Sequence, residues 1–441
     1  MPKWILFVVF TISLYSLPAQ QVFVSLDQFT DYALQHNPAI QQSILNEKVE
    51  SQNVNTAIAP MLPTANAQAT INDNVLLPTT LVPAELRGGP PGTYIPLQFG
   101  TKYSLNPSGN INLNLVNAAN YQQLSIAKKN RQLAQANTEL NIEQIKTSLA
   151  QAYYLYLLYQ SNYDFAAHNL SNADTLLHIT QVRFDNQYID ELDLNRSKSA
   201  ELQAQTQMEQ SRILLEKSLN TLKLLAAIGV SEKLVIQYKL VIQDMPLAEA
   251  ITVNQFSRPE LKTSMLKSNI SEMTILREKL RFVPELTAFA NYGVIGQNNN
   301  FRFSDGGQQW YQSGALGVAL NVPVFAGGVK YYSVQKAKLN RQIAALDLQN
   351  TQLKTAKEDQ DLVLDFVKAK SDLKARQRQL SLTDRNYNLA LIKYRNESLT
   401  FDNLVNVQNE MLASQQQMLQ AEADYVTSQY KIKLINSYDK K

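Results

Sequence analysis

From Ile142 onward the apolar and small residues keep to one seam. Ile145, Leu149, Ala152, Tyr156, Tyr159, Tyr163, Ala166, Leu170, Ala173, Leu177, Thr180 and Phe184 follow in alternating steps of three and four. A heptad pattern sustained this long predicts coiled-coil packing rather than an ordinary globular helix. The pattern returns at Leu362, Phe366, Ala369, Leu373, Arg376, Leu380, Thr383, Tyr387, Ala390 and Tyr394, in a more polar form with Arg376 on the seam. No proline interrupts 118–184 or 328–394. At ~1.5 Å per residue such helices are rods of about 100 Å, longer than a compact domain needs. Each rod ends in a polar break, near 185–191 and 395–400, and return helices are expected over about 191–227 and 401–436. The chain therefore contains two antiparallel helical hairpins. By themselves these fit a spacer or a dimerising stalk equally well.

Just before each rod the period changes to two. Ile111 and Leu113 alternate with asparagines, and Leu316, Val318, Leu320 and Val322 alternate with Ala, Gly and Asn. Weaker strands follow Pro63 and Pro284, so four strands are expected, over 64–71, 103–116, 285–294 and 310–325. A strand with one oily and one polar face can sit on a soluble core, or it can face lipid outside and water inside. The lengths suit tilted transmembrane strands of ~9–11 residues. Trp310 and Tyr311 open the last strand and Phe325 closes it, where aromatic girdles meet the two faces of a bilayer. Four strands cannot seal a water-filled barrel, and an open edge in hydrocarbon leaves backbone groups unpaired. Subunits must then pool their strands.

The two sets of elements belong to two similar halves. Asn37-Pro38-Ala39-Ile40 returns as Arg258-Pro259-Glu260-Leu261, and Leu62-Pro63 returns at the same spacing as Val283-Pro284. Further on, the spacing shortens once, because the first half carries the longer loop between its strands. An internal duplication is expected, with a first repeat over 21–228, a connecting segment over 229–245 and a second repeat over 246–441. Ahead of them, Lys3, the apolar run Trp4 to Leu17 and Ala19 have the order of a cleaved signal peptide over 1–20.

A formal charge of +3 without a basic cluster disfavours a nucleic-acid surface. The sequence has no cysteine, which excludes disulfides and a lipid-modified cysteine. His36, His168 and His178 lack partners at metal-ligand spacing, no nucleophile or phosphate-loop motif occurs, and neither a cofactor nor an enzymatic activity is expected. Asp190, Glu191 and Asp193 read as helix-start charges favoured by the dipole.

With these features in place, the mature chain resembles the TolC family of outer-membrane efflux proteins. The carriers are the repeated proline motifs, Val322-Pro323-Val324-Phe325-Ala326-Gly327-Gly328 at the second strand-to-helix junction, and Arg183-Phe184 with Lys393-Tyr394 at the hairpin ends. The resemblance implies a mostly α fold with a membrane β-barrel portion. Three subunits would pool four strands each into one 12-stranded barrel, and their helical hairpins would form a periplasmic α-barrel. It implies a passive export duct for drugs, metal ions, other small molecules or proteins, whose helical tips dock a periplasmic adaptor linked to an inner-membrane pump. Docking would fall on Gln187, Tyr188, Ile189, Glu397, Ser398 and Leu399. The tip constriction would involve Asp190, Glu191, Asp193, Tyr394, Asp402, Asn403 and Asn406. Lipid would meet Ile111, Leu113, Leu316, Val318, Leu320 and Val322. The tips depart from the family pattern, with Gln187 and Glu397 where a glycine is usual. The competing reading is a soluble periplasmic coiled-coil adaptor or scaffold, with the strands in a small covered sheet.

Overall fold

A computed structural model describes residues 21–23, 25–236, 245–246, 258–304 and 306–436. The expected signal peptide over 1–20 and part of the connecting segment lie outside them. The element order is β1 (Gln21–Phe23), α1 (Leu26–His36), α2 (Pro38–Ile58), β2 (Thr64–Asp73), β3 (Thr79–Pro83), β4 (Tyr94–Gln98), β5 (Tyr103–Val116), α3 (Ala118–Asp185), α4 (Glu191–Leu225), β6 (Leu234–Ile236), α5 (Pro259–Leu280), β7 (Glu285–Asn298), β8 (Trp310–Asn321), α6 (Val329–Arg395) and α7 (Phe401–Asn436). The two rods are single uninterrupted helices of 68 and 67 residues.

The Asn37-Pro38 motif has a local physical origin. Pro38 has no N–H to lose at the first position of α2. Asn37 caps that helix, its Oδ1 accepting from the Ala39 amide at 2.9 Å, while its Nδ2 donates to the Leu225 carbonyl at 2.8 Å. It thereby ties the start of α2 to the end of α4. In the second half Arg258 precedes the proline instead, and its Nη1 donates to Asp359 at 2.8 Å, both side chains being buried.

The chain divides into two units. The first comprises Met1–Asn46, Ala134–Ser264 and Leu348–Lys441. Its core has three parts. Phe29, Tyr153, Leu157, Leu222 and Ile236 join α1, α3, α4 and β6, while Phe366, Leu373, Met418, Tyr425 and Ile432 join α6 to α7. Leu176, Tyr387, Tyr394, Phe401 and Leu404 fill the space between the hairpin ends. The second unit, Glu47–Leu133 and Met265–Asp347, holds a four-stranded antiparallel sheet in the order β2-β5-β7-β8, with β3 and β4 forming a separate hairpin in the long first loop.

Three expectations change. The last strand stops at Asn321, not at 325, because Pro323 cannot donate to a ladder. Val322 and Phe325 therefore lie beyond the strand, 52% and 87% exposed. Four expected strands imply that the longer loop of the first half is free of strands, but Thr79–Pro83 pairs there with Tyr94–Gln98.

Candidate functional site

Two regions hold the residues that the sequence singles out. The first is the sheet. Directly opposed residues of antiparallel strands point to the same face, so the register sorts every side chain. Rows such as Ala65–Ile111–Ala290–Leu316 and Leu113–Ala288–Val318 lie on one face, with Leu286 and Leu320 beside them. Ala67, Ala69, Ile71, Leu105, Pro107, Tyr292 and Val294 extend it, and its polar positions are Gln312, opposite Val294, and at the loop end Asp73 and Asn298, flanking Tyr103. The opposite face presents Asn66, Gln68, Thr70, Ser108, Asn110, Asn112, Asn114, Thr287 and Asn291. Leu316, Val318 and Leu320 are 87%, 61% and 64% exposed, so none of the described residues covers the apolar face there. β2 and β8 each pair on one side only. The sheet thus ends in two open edges.

Aromatic side chains collect at the loop end of this sheet. Trp310 lies across Gly296, where an added Cβ would stand 2.9 Å from the ring. Phe303 sits 6.5 Å from Trp310, Phe301 sits 5.7 Å from Phe303, and Tyr103 sits 5.5 Å from Phe301. Of the expected girdle only Trp310 belongs to this group. Tyr311 points to the polar face, by the alternation of β8, and donates to Gln309 Oε1 at 2.7 Å. Sequence reading missed Tyr103, Phe301 and Phe303, because Phe301 and Phe303 lie in a loop with no periodicity.

The second place is the pair of hairpin tips. Both rods end in the same hydrogen-bond pattern: the Gln187 amide donates to Phe184 O and the Tyr188 amide to Arg183 O, matched by Glu397 to Tyr394 O and Ser398 to Lys393 O. This closure needs a left-handed residue after the helix, normally glycine. Gln187 and Glu397 adopt it with φ of 60° and 61°. The glycine turn is therefore kept in geometry though not in residue, at a local cost to any side chain with a Cβ. Gln187, Tyr188, Glu397 and Ser398 are exposed, and Ile189 and Leu399 half-buried.

Asp190 caps α4, its Oδ1 accepting from the Asp193 amide at 3.0 Å. Burial and then the Asp190 carboxylate push the Asp193 carboxyl above its ordinary value, with Arg196 opposing. Arg196 bridges to Asp402 of the other hairpin at 2.7 Å, both side chains largely in solvent. Arg183 crosses between the hairpins as well: its Nη1 donates to the Tyr394 carbonyl at 3.0 Å and its guanidinium lies 4.7 Å from the Tyr394 ring centre. Glu191, Asn403 and Asn406 are exposed. Tyr394 is not: it is 2% exposed and packs on Phe401, so it belongs to the core and does not line a constriction. Seam packing pulls it inward, as the heptad position it occupies requires.

The flanks of the hairpins also carry an uncovered pattern. Leu353, Leu364, Val367, Leu382, Leu389 and Ile392 share one side of α6, with one break in heptad spacing between Val367 and Leu382, and are all exposed. They lie opposite the buried seam Phe366, Ala369, Leu373, Tyr387, Ala390 and Tyr394 that faces α7. α7 covers one of these two apolar sides, and the other is left uncovered among the described residues. α3 shows the satisfied case, touching α4 through Thr180 and Ser197 at 2.8 Å and α7 through Asn169 and Gln415 at 2.9 Å.

No protein-family model matches the chain, and no curated protein matches it in sequence. Solved structures match it over nearly the whole length. The CmeC outer-membrane channel of Campylobacter jejuni superposes with a TM-score of 0.74 at 15% identity, covering 94% of this chain and 85% of CmeC. The outer-membrane protein VceC of Vibrio cholerae gives 0.69 at 16%, covering 93% and 94%, and the open-state MtrE channel of Neisseria gonorrhoeae gives 0.69 at 14%, covering 94% and 88%. The fold is that of the TolC-like outer-membrane channels. Among the described residues no helix is long and apolar enough to cross a membrane, and no cluster of His, Asp or Glu could hold a metal.

Proposed function

We propose that this chain is one subunit of a passive export duct, a ring of identical copies that crosses the outer membrane through pooled strands and continues through the periplasm as a helical barrel. One observation carries the reading: a sheet whose register makes one face apolar apart from Gln312 and the loop-end pair Asp73 and Asn298, and puts Asn, Ser, Thr and Gln on most of the other, open at both edges. Lipid outside and water inside is the environment that such a sheet satisfies. The edges satisfy one another only if β8 of each copy pairs with β2 of the next, and four strands per chain make twelve in a trimer. The exposed seam of α6 supports the same closure, because it needs a helix from a second copy.

The tips dock a periplasmic adaptor through Gln187, Tyr188, Ile189, Glu397, Ser398 and Leu399. The polar side chains Asp190, Glu191, Asp193, Asp402, Asn403 and Asn406 narrow the passage there. Energy and choice of cargo lie with an inner-membrane pump, which hands on drugs, metal ions, other small molecules or proteins. Absence of cysteine makes the test clean. Cysteines placed on the two edges, as in a Gln68→Cys/Ala315→Cys double variant with neighbouring registers sampled, should crosslink membranes into a ladder ending at the trimer. Recovery of uncrosslinked monomer from the periplasm without detergent is the result expected of a soluble scaffold, and it would end the duct reading.

A further inference from the structure

At the helix-linked end of the sheet lies a cavity of about 450 Å³, bordered by Asn117, Arg277, Glu278, Arg281, Glu285 and Lys330. Its charges do not cancel. Arg277 and Arg281 both bind Glu278, Arg281 Nη1 standing 2.8 Å from its Oε2. Burial alone would raise the Glu278 carboxyl, but the hydrogen bonds from Arg281 and Arg277 hold it below its ordinary value. Both Glu285 oxygens are already engaged, by Asn117 Nδ2 at 2.9 Å and Asn321 Nδ2 at 2.8 Å. Lys330 meets no carboxylate: Nζ donates to the Arg281 carbonyl at 2.6 Å and lies 5.8 Å from the Phe282 ring centre. Three cations thus face two carboxylates whose oxygens are all occupied. Lys330 stands in the first turn of α6, and Ala119 and Asn120 in the first turn of α3, so two helix starts add partial positive charge.

The surroundings of this cavity are oily. Val283 and Pro323 line it, and Val324 and Phe325 follow in the chain at 92% and 87% exposure. A basic recess bordered by exposed aliphatic and aromatic side chains is what a membrane interface selects. A soluble anion would use the charges and leave the apolar border in water, whereas a lipid uses both.

We propose that this cavity binds the phosphate headgroup of an anionic phospholipid through Arg281 and Lys330, with the acyl chains lying on Val324 and Phe325. The site rests on the duct reading, which puts this end of the sheet at the inner leaflet of the membrane. It is tested on the full-length protein in detergent by native mass spectrometry, with phosphatidylglycerol, phosphatidylcholine and inorganic phosphate titrated separately. Phosphatidylglycerol should be retained over phosphatidylcholine, and Arg281→Ala/Lys330→Ala should weaken it by about 30-fold, since each basic residue near an anionic lipid contributes roughly equally. Lys330→Ala alone, which breaks no ion pair, should weaken it by about fivefold. Arg281→Lys/Lys330→Arg should restore most of the binding, and Arg302→Ala, in the loop between β7 and β8, should leave it unchanged. Equal retention in wild type and the double alanine variant overturns the site. So does displacement by inorganic phosphate at the lipid's own concentration, which would mark a soluble-anion site. A protein that needs no detergent refutes the duct, whereas a detergent-requiring trimer indifferent to these substitutions refutes only the lipid.

Discussion

Val318→Arg is the sharpest test of which face of the sheet meets lipid. Val318 is the ninth of the twelve residues of β8, towards its helix-linked end, in a row with Ala288 and Leu113, and is 61% exposed in the isolated chain. An arginine facing hydrocarbon in a membrane barrel costs ~2–4 kcal/mol near the midplane and less towards the interface, so about 2 kcal/mol is expected at this position. In the proposed trimer three copies raise this to about 6 kcal/mol, within the range of the whole stability of many domains. The control is Ala319→Arg, one residue on, in the row of Thr287 and Asn114 on the polar face. Asn321 is a poor control despite its position on the same face, because its Nδ2 holds Glu285 at 2.8 Å. Refolding into detergent or lipid, followed by gel mobility before and after heating, reads the assembled fraction. Val318→Arg should abolish the heat-sensitive trimer band and Ala319→Arg should leave it. Equal effects at both positions would show that the two faces do not differ in environment, and the membrane assignment would fall with that result.

Three further outcomes follow from the tips. Gln187→Gly and Glu397→Gly should each stabilise a tip by about 0.5–1 kcal/mol, the left-handed cost of a side chain less the extra freedom of glycine in the unfolded chain; slower hydrogen exchange at the Tyr188 and Ser398 amides reports it, and unchanged or faster exchange contradicts it. Arg183→Ala should destabilise by about 2 kcal/mol, since it removes both a carbonyl bond and a ring contact, whereas Arg196→Ala should cost no more than about 1 kcal/mol because its bridge to Asp402 is solvated; chemical denaturation that ranks them the other way refutes the reading. For Asp193, burial and Asp190 raise the folded carboxyl, so the folded tip binds the proton more tightly than the unfolded chain. Its favourable contribution is present below the ordinary carboxylate value of about 3.9 and is lost as pH rises above it. Asp193→Asn should therefore melt higher than wild type at pH 7, with the gap closing towards pH 3; a constant gap would remove charge as the cause.

The elements that could be read from the sequence are those whose periodicity is set by burial on one side. The seam Leu149 to Phe184 and the alternation Ile111 to Leu113 are of this kind, and α3, α6, β5 and β8 stand where those patterns run. The strand ends were less legible: Pro323 stops β8 before the apolar residues Val324 and Phe325, which alternation alone would have included. The β3–β4 hairpin was hidden because Pro83 and Pro96 lie within it, and prolines ordinarily argue against strands. At the tips, chain position identified Gln187 and Glu397 but not how the backbone would accommodate them. The crossing contacts of Arg183 with Tyr394 and Arg196 with Asp402 join residues far apart in sequence, and no local pattern announces them. Tyr394 carries its own lesson, because the seam that places it inside the helical pair is the same seam that excludes it from the passage.

The two margins of the sheet are not alike: one is β2 and the other β8. A head-to-tail ring built on unlike margins closes only when every member offers both. A copy whose β8 margin is blocked still presents a sound β2 margin, so it can join normal copies and then halt them. In a cell making both forms, the damaged copy would remove working channels out of proportion to its own abundance, and inheritance of such a lesion would be dominant.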